Sequence, residues 1–459
     1  MIAAMLSRFD TRAQVALLVL LAAYFMVWPI WRAGFPIEIA QNEGWNAYHA
    51  DAAMGAAALY PPTDTLIVNN YPPLSFYVVG VLARIFGDAL YVGRALSIAA
   101  VVGLGGLIGL VIVELGGGAA GAAIGGAWFI AVMARSFSRF VGMNDPQLLG
   151  HALMMGALVW LLRREAQGKS AVPPILAMAA AGFYKHNIVA VPIASILWLA
   201  GHDWRRAMLP LAVGAGAAAL GLLICIALYG DAFLANLLTV RPYHWQRALK
   251  GLGRQQWILP ALALCGIWIA AEPSRNAARF TLLFIGVAFA AYLAQWGGEA
   301  ILDNAQFDLV IATAVGLGLA FDRAGKTGFG RRHGATAARA VVVLVVAARL
   351  LATLRIEPAL VLFDPAYRAQ YFENAEAVRA EAARIARIPG PVACDYKVVC
   401  RLAGKPFAYD DFRAEMLVMT GASHGLDVEG LIRAHGLTRV HNDPRGGIEA
   451  LFRTIAGKP

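Results

Sequence analysis

The sequence predicts an α-helical polytopic membrane protein of about eleven crossings, followed by a small α/β domain outside the bilayer. Three observations carry that expectation. Of the 459 residues, 59% are hydrophobic and 15% charged, where soluble domains carry roughly 25% charged residues. Apolar runs of about 17–25 residues recur along the chain, the length that crosses a hydrocarbon core near 30 Å thick. After residue 356 the character changes abruptly, and charged, mixed segments replace the apolar runs.

Spans are expected near 13–32, 90–113, 119–137, 146–162, 172–184, 187–201, 207–229, 256–271, 279–297, 304–321 and 340–356. The first run has no small-residue cleavage site, so it reads as a span anchored by Trp28 and Trp31, not as a signal peptide. The net charge of +10 is spread over short loops between apolar runs, which the positive-inside effect explains and which argues against a nucleic-acid partner. Arg8 and Arg12 put the amino terminus in the cytoplasm. The loops Arg163–Lys169, Arg205–Arg206, Arg275–Arg279 and Arg323–Arg339 are placed on the same side. The pair around Lys185 is a hairpin by this parity, with Lys185 near the outer surface or sunk into the bundle from it. The location follows: a multi-pass protein of the cytoplasmic membrane, with its first long loop and its tail outside.

That first outer loop, 33–89, holds the stretch Gln41–Leu74, which carries four acidic or histidine side chains (Glu43, His49, Asp51, Asp64) and no Lys or Arg. Tyr, Trp, Asn and Pro are frequent in it, so it reads as an ordered ledge with a helical middle (Trp45 to Leu59) and a rigid Tyr71-Pro72-Pro73 exit. The apolar segment Pro72–Phe86 is expected to lie at the interface or re-enter, because a crossing there breaks the parity. Irregular backbone at membrane depth persists only where protein or water satisfies it. The breaks Gly142–Pro146 and Gly297–Asn304 are therefore expected to line a cavity. Domain organisation is read as 1–356, a transmembrane catalytic domain, and 357–459, an outer α/β domain with a charged helix (Tyr367 to Ile388) and a strand-like run (Pro391 to Val399). Cys225 and Cys265 are buried hydrophobes. Cys394 and Cys400 form a disulfide if the tail faces an oxidising compartment, which spacing alone does not decide.

Three polar clusters fall at the outer ends of separate spans: Asn42-Glu43 with His49 and Asp51, Arg139 with Asn144-Asp145, and Lys185-His186-Asn187. Two carboxylates and nearby cations above an apolar bundle suit transfer from an anionic, membrane-held donor. A carboxylate takes a proton from an attacking hydroxyl, and a fixed cation balances a departing phosphate. Arg139 and Lys185 are the candidate phosphate partners. Plainer roles stand beside these. Glu43 is also suited to a helix N-terminus, Asp51 to solvent, Asp145 before Pro146 to an N-cap, and Lys185 to snorkelling. His49 and His186 read as hydrogen-bonded loop residues. Arg241 to Trp245, with His244, reads as an aromatic belt first and a substrate contact second. No HExxH or CxxC pattern points to a metal.

The order of these motifs, Asn42-Glu43, Tyr60-Pro61, Tyr71-Pro-Pro-Leu74, then Arg139…Asp145 and more weakly 184–187, resembles the GT-C superfamily of lipid-linked-sugar glycosyltransferases. The resemblance lies near the protein O-mannosyltransferase and aminoarabinose transferase branch. Asn304, after Gly297-Gly298-Glu299, resembles a further recurring element. The resemblance implies a GT-C-like bundle and inversion at a sugar anomeric carbon. It also implies a polyprenyl-phosphate-linked sugar as donor and a lipid, glycan or protein acceptor. Glu43 maps to the base that activates the acceptor, Asp145 to the second acidic position, and Lys185 to the donor phosphate. Asn42, His49, Asp51, Tyr71, His186, Asn187, His244 and Asn304 are then possible substrate contacts. Many relatives have Asp-Glu where this chain has Asn42-Glu43, so either Glu43 serves alone or Asp51 takes over. Some branches use a divalent metal; without a ligand motif no cofactor is expected here. A secondary transporter and a polysaccharide ligase acting on lipid-linked oligosaccharide are the rival readings. The first would call for mid-span charges and an inverted repeat.

Overall fold

The computed structural model describes residues 9–352 and 354–440; Arg8 and the end of the expected outer domain, from 441, lie outside the described residues. Every expected span is a helix. In chain order these are α1 (Thr11–Arg32), α2 (Gln41–Ala53), α3 (Leu74–Phe86), α4 (Ala89–Glu114), α5 (Ala119–Ser136) and α6 (Gln147–Ala166). Then come α7 (Val172–Gly182), α8 (Ala190–His202), α9 (Trp204–Tyr229), α10 (Asp231–Leu237), α11 (Trp245–Gly253) and α12 (Leu259–Ala271). The bundle closes with α13 (Asn276–Trp296), α14 (Phe307–Asp322), α15 (Gly328–His333) and α16 (Ala335–Leu351). Among the described residues, six helices are long and apolar enough to cross a membrane: α1, α4, α5, α9, α13 and the segment 303–326 around α14.

Side-chain size decides which helix is central. Fifteen residues of α14, Phe307 to Phe321, are buried, and α5 lies against it with glycines at the crossing. A Cβ on Gly121 would stand 2.4 Å from the Gly318 carbonyl oxygen, and one on Gly318 would stand 2.5 Å from that of Gly121. Only glycine permits this approach, which brings whole helix faces into contact where lipid offers no hydrophobic drive. By contrast α9 buries only Ala207, Pro210, Gly214 and Cys225, and its Leu-rich surface faces outward.

The two ends of the bundle differ in charge. At one end Arg323 donates to the Gly116 carbonyl at 2.7 Å, Arg163 pairs with Glu114 at 2.7 Å and Asp322 accepts from Gly118 N at 2.6 Å. Arg339 donates to the Asp322 carbonyl, and Gln14 near the start of α1 reaches Thr336. The loops that hold Arg163, Arg323 and Arg339 thus share one end, as their parity requires.

The opposite end carries the first loop and the tail. The loop helix α2 begins at Gln41, four residues before the expected Trp45, and stops at Ala53, where Gly55 turns with φ +100. At 13 residues, α3 is about 20 Å long and falls short of the hydrocarbon core, as expected for an interfacial segment. In the tail α17 (Glu357–Phe363) and α18 (Pro365–Ala386) are followed by β1 (Val392–Ala393), α19 (Lys397–Leu402), α20 (Asp411–Met419), α21 (Val428–Ala434) and β2 (Thr438–Arg439). The strands pair in parallel, Val392 with Thr438 and Ala393 with Arg439. The strand-like run to Val399 is shorter than expected. Lys397, Val398, Val399 and Cys400 are all buried in succession, a pattern that a half-exposed strand does not give. Cys394 and Cys400 are joined by a disulfide.

Loop and tail fold together. Phe35 and Ile37 share an apolar cluster with Tyr371, Val378 and Val392, and Leu66 shares another with Tyr409 and Leu431. Val398 N donates to Glu38 at 2.7 Å and Asp410 N to the Leu66 carbonyl at 2.8 Å. A Cβ on Gly44 would lie 2.6 Å from Lys397 Cβ, so α2 and α19 touch backbone to side chain. Trp28 of α1 donates to the Tyr371 hydroxyl at 2.8 Å, which fixes this cap to the bundle.

Candidate active site

Between bundle and cap lies a cavity of about 390 Å³. Six stretches wall it: Gln41, Asn42 and Trp45 of α2; Asn70 and Tyr71; Lys185, His186 and Asn187; Leu237 to Arg241; Gln295 to Asn304; and Lys397, Asp410, Asp411, Phe412 and Glu415 of the tail. Lys185 and Arg241 stand on the bundle side, and Asp410, Asp411 and Glu415 on the tail side, where Lys397 stands among them.

Lys185 is there because two helices are short. α7 and α8 have 11 and 13 residues, about 17 and 20 Å, so the turn between them sits inside the protein. Gly150 of α6 makes room, since a Cβ there would lie 2.5 Å from Ile188 Cδ1 and 3.2 Å from Lys185 Cβ. Lys185 is 2% exposed, and its Nζ stands 3.1 Å from the centre of the Tyr71 ring. It makes no ion pair among the described residues; the field of Asp145 reaches it. A buried ammonium held only by a ring face is costly until an anion joins it. Tyr71 is itself pinned: its N donates to Asn69 Oδ1 at 3.1 Å, and its carbonyl accepts from the Tyr60 hydroxyl at 2.9 Å. Asn69 is held in turn by Asn236 and the Leu59 carbonyl. Arg241 lies 4.6 Å over the Phe412 ring, on the same cavity.

On the facing wall, Asp410 is 3% exposed. It caps α20, accepts from Trp45 Nε1 at 3.1 Å, and lies 3.8 Å from Lys397 Nζ. Burial pushes its carboxyl up to about 7, against the pull of Lys397. Lys397 also pairs with Asp411, and its two carboxylate neighbours keep it protonated well above the usual lysine range. A cation thus already stands between the two carboxylates that a divalent metal would need. Among the described residues no group of three or more His, Cys, Asp or Glu side chains could hold a metal. The described residues do not fit one.

Of the sequence candidates, Asn42, Tyr71, Lys185, His186, Asn187 and Asn304 line the cavity. Asn187 is tied to Gln295 at 2.9 Å and Asn304 to Gln147 at 3.3 Å. Glu43 does not line it. Its carboxylate is fully buried, takes two bonds from Arg94 at 2.6 and 2.7 Å, and accepts from Ile39 N and Asn144 N at 2.9 and 3.2 Å. The two acidic loops therefore meet, but through the backbone of Asn144. Asp145 accepts from Gln147 N at 2.8 Å at the start of α6, and its other oxygen is buried without a partner. It borders a void of about 10 Å³ beside Tyr184, apart from the large cavity. Arg139 is exposed beside the Phe140 ring at 5.3 Å. His49 stacks on Trp45 at 4.1 Å, Asp51 pairs with Arg401 at 2.7 Å, and His244 is exposed ahead of α11. Sequence reasoning did not single out Arg94, Lys397 or Asp410. The last two sit in the tail, where nothing in the spacing marks a side chain that reaches a cavity walled by distant parts of the chain, from Gln41 to Asn304.

No protein-family model and no curated protein matches this sequence. Solved structures do. ArnT from Cupriavidus metallidurans in the apo state aligns with a TM-score of 0.57 at 13% identity, over 91% of this chain and 90% of that one. The same protein bound to undecaprenyl phosphate gives 0.55 at 14% identity and the same coverage. The oligosaccharyltransferase of Archaeoglobus fulgidus, tethered with an acceptor peptide containing the NVT sequon, gives 0.51 at 11% identity over 88% of this chain and 65% of that one. By these likenesses, which extend through bundle and cap alike, the chain has the GT-C fold.

Proposed function

We propose that this protein is a membrane glycosyltransferase that takes a sugar from a polyprenyl-phosphate donor and passes it to a hydroxyl of a lipid, glycan or protein acceptor. The observation that carries this reading is Lys185, a buried lysine with no ion-pair partner among the described residues, on a cavity at the end of the bundle that meets the tail. A prenyl phosphate supplies the missing anion while its chain stays in the bilayer, and the ArnT structure bound to undecaprenyl phosphate supports a ligand of that class. Arg241 takes the second phosphate position, in place of the exposed Arg139. The basic loops at the far end support a cavity that opens outside the cytoplasm.

In the reaction, the acceptor oxygen bonds to the anomeric carbon as the carbon–oxygen bond to phosphate breaks. The bonding pair leaves with the phosphate, opposite Lys185 and Arg241, and attack from the tail side inverts the centre. The acceptor proton passes to Asp410, a buried carboxylate whose ordinary range is raised towards neutrality. Asn42, Tyr71, His186, Asn187 and Asn304 shape the sugar pocket. Glu43 acts at one remove, by fixing α2 against α4.

The test uses the full chain in nanodiscs with synthetic undecaprenyl-phosphate-linked radiolabelled monosaccharides and a membrane extract as acceptor. Release of undecaprenyl phosphate with label in the extract is expected, and Lys185→Ala should weaken donor binding at least tenfold. Unchanged donor affinity in that variant would refute the phosphate site.

A further inference from the structure

Beneath the cavity a line of polar side chains enters the bundle, and the reaction above does not use it. Asn304, in the cavity wall, donates from Nδ2 to Gln147 Oε1 at 3.3 Å. Gln147 Nε2 lies 3.1 Å from His151 Nε2. His151 Nδ1 lies 3.4 Å from Asp308 Oδ1, a polar contact short of a formed hydrogen bond, and neither atom has a hydrogen-bond partner among the described residues. The backbone N–H of Ala190, the first residue of α8, also faces the Asp308 carboxylate. Gln147, His151 and Asp308 are 2%, 1% and 3% exposed. The geometry follows from helical spacing. Gln147 and His151 are four residues apart on α6, and Asn304 and Asp308 are four apart across the short 3-10 turn that leads into α14.

Such a line has a direction. When ionised, the Asp308 carboxylate only accepts; it then sets the imidazole proton on Nδ1 and leaves Nε2 as an acceptor. Gln147 must then turn its NH2 to the imidazole and its carbonyl to Asn304. Asn304 spends its NH2 on Gln147, and its carbonyl oxygen faces no protein donor among the described residues. Resting on the transferase reading for the identity of the ligand, we propose that Asp308, His151 and Gln147 are positioning residues. The Asp308–His151 polar contact and the hydrogen bonds onward through Gln147 set one direction and hold the Asn304 amide oxygen towards the cavity, where it accepts from an O–H or N–H group of the sugar.

The experiment reverses the direction. Asn304→Asp sets an acceptor against the Gln147 carbonyl. Asp308→Asn offers a donor to His151 Nδ1, moves the imidazole proton to Nε2, and turns the Gln147 NH2 towards residue 304. In nanodiscs at pH 8, Asn304→Asp alone should lower the melting temperature and raise KM for the undecaprenyl-phosphate monosaccharide about tenfold, the cost of roughly one hydrogen bond. The change in kcat should stay within about twofold. Adding Asp308→Asn should return most of both losses. Should Asp308→Asn fail to insert, His151→Gln is the second background, because its amide turns either way and should also tolerate Asp at 304. Additive losses in the doubles, or full tolerance of Asn304→Asp alone, would overturn the relay. Melting needs no substrate. A chain that transfers none of the probes would sink the transferase reading, and the melting cycle would still decide the relay.

Discussion

Glu43 and Arg94 form a two-point ion pair with no access to solvent, at 2.6 and 2.7 Å. Arg94 spends its remaining donors on the carbonyls of Ala33, Phe35 and Ile37, so one guanidinium fixes the exit of α1, the start of α2 and the face of α4. Removing one partner of a buried pair costs about 3–5 kcal/mol, because the other charge stays buried alone. Glu43→Gln should therefore lower the melting temperature of the purified protein well before any chemical step is assayed, and Arg94→Lys, which loses the fork, should do the same. A variant that melts normally yet transfers no sugar would return Glu43 to the role of base.

Asp410 makes the pH dependence of transfer specific. Burial raises its carboxyl to about 7; Asp411 adds to the rise, while Lys397 and the bonds from Phe412 N and Trp45 oppose it. Arg241 and Arg413 also feel its charge. A base works ionised, so the rate should climb with pH through about 7 and level off above. Lys397→Met removes the strongest opposing charge and should move that limb to higher pH. Asp410→Asn should cost about 10²–10⁴ in kcat while donor affinity stays within about twofold. A pH profile that is flat from 5 to 8 in the parent protein would exclude Asp410 as the base.

The bundle was legible because its signals are local. Hydropathy marked the spans, though not the short helices α10, α11 and α15, and charge bookkeeping gathered Arg163, Arg323 and Arg339 at one end. Within the site, Lys185, Asn42, Tyr71 and Asn304 were legible as polar residues at the ends of apolar runs. What escaped was pairing at long range. Nothing in the neighbourhood of Glu43 shows that Arg94 neutralises it, and nothing near Asp410 shows that Trp45 meets it 365 residues upstream. A carboxylate in a motif looks the same whether its lone pairs are free or filled.

Asp51 is the second acid that the sequence offered as a base, and its geometry predicts otherwise. Arg401 holds it at 2.7 and 3.1 Å and grips Asp88 at 2.9 and 2.8 Å, tying α19 to the end of α2 and to the start of α4. Both carboxylates are over a third exposed, so each bond alone is worth at most about 1 kcal/mol. Asp51→Asn should keep transfer within about threefold. Arg401→Ala should instead speed limited proteolysis of the tail and raise KM for the acceptor without changing donor affinity. Loss of turnover in Asp51→Asn with an intact tail would give the catalytic part to Asp51.

The Cys394–Cys400 disulfide closes a loop of separation six at the start of α19, on the segment that carries both Lys397 and Arg401. A loop that short restrains the unfolded chain by about 2 kcal/mol, so Cys394→Ala/Cys400→Ala should lower the melting temperature by a few degrees. The effect on function should be one-sided. Lys185 is held by Tyr71 and the turn between α7 and α8, so undecaprenyl-phosphate binding should survive reduction, whereas transfer, which needs Lys397 and Asp410 in register, should fall. Equal losses of binding and transfer would mean that the phosphate site, too, depends on the tail.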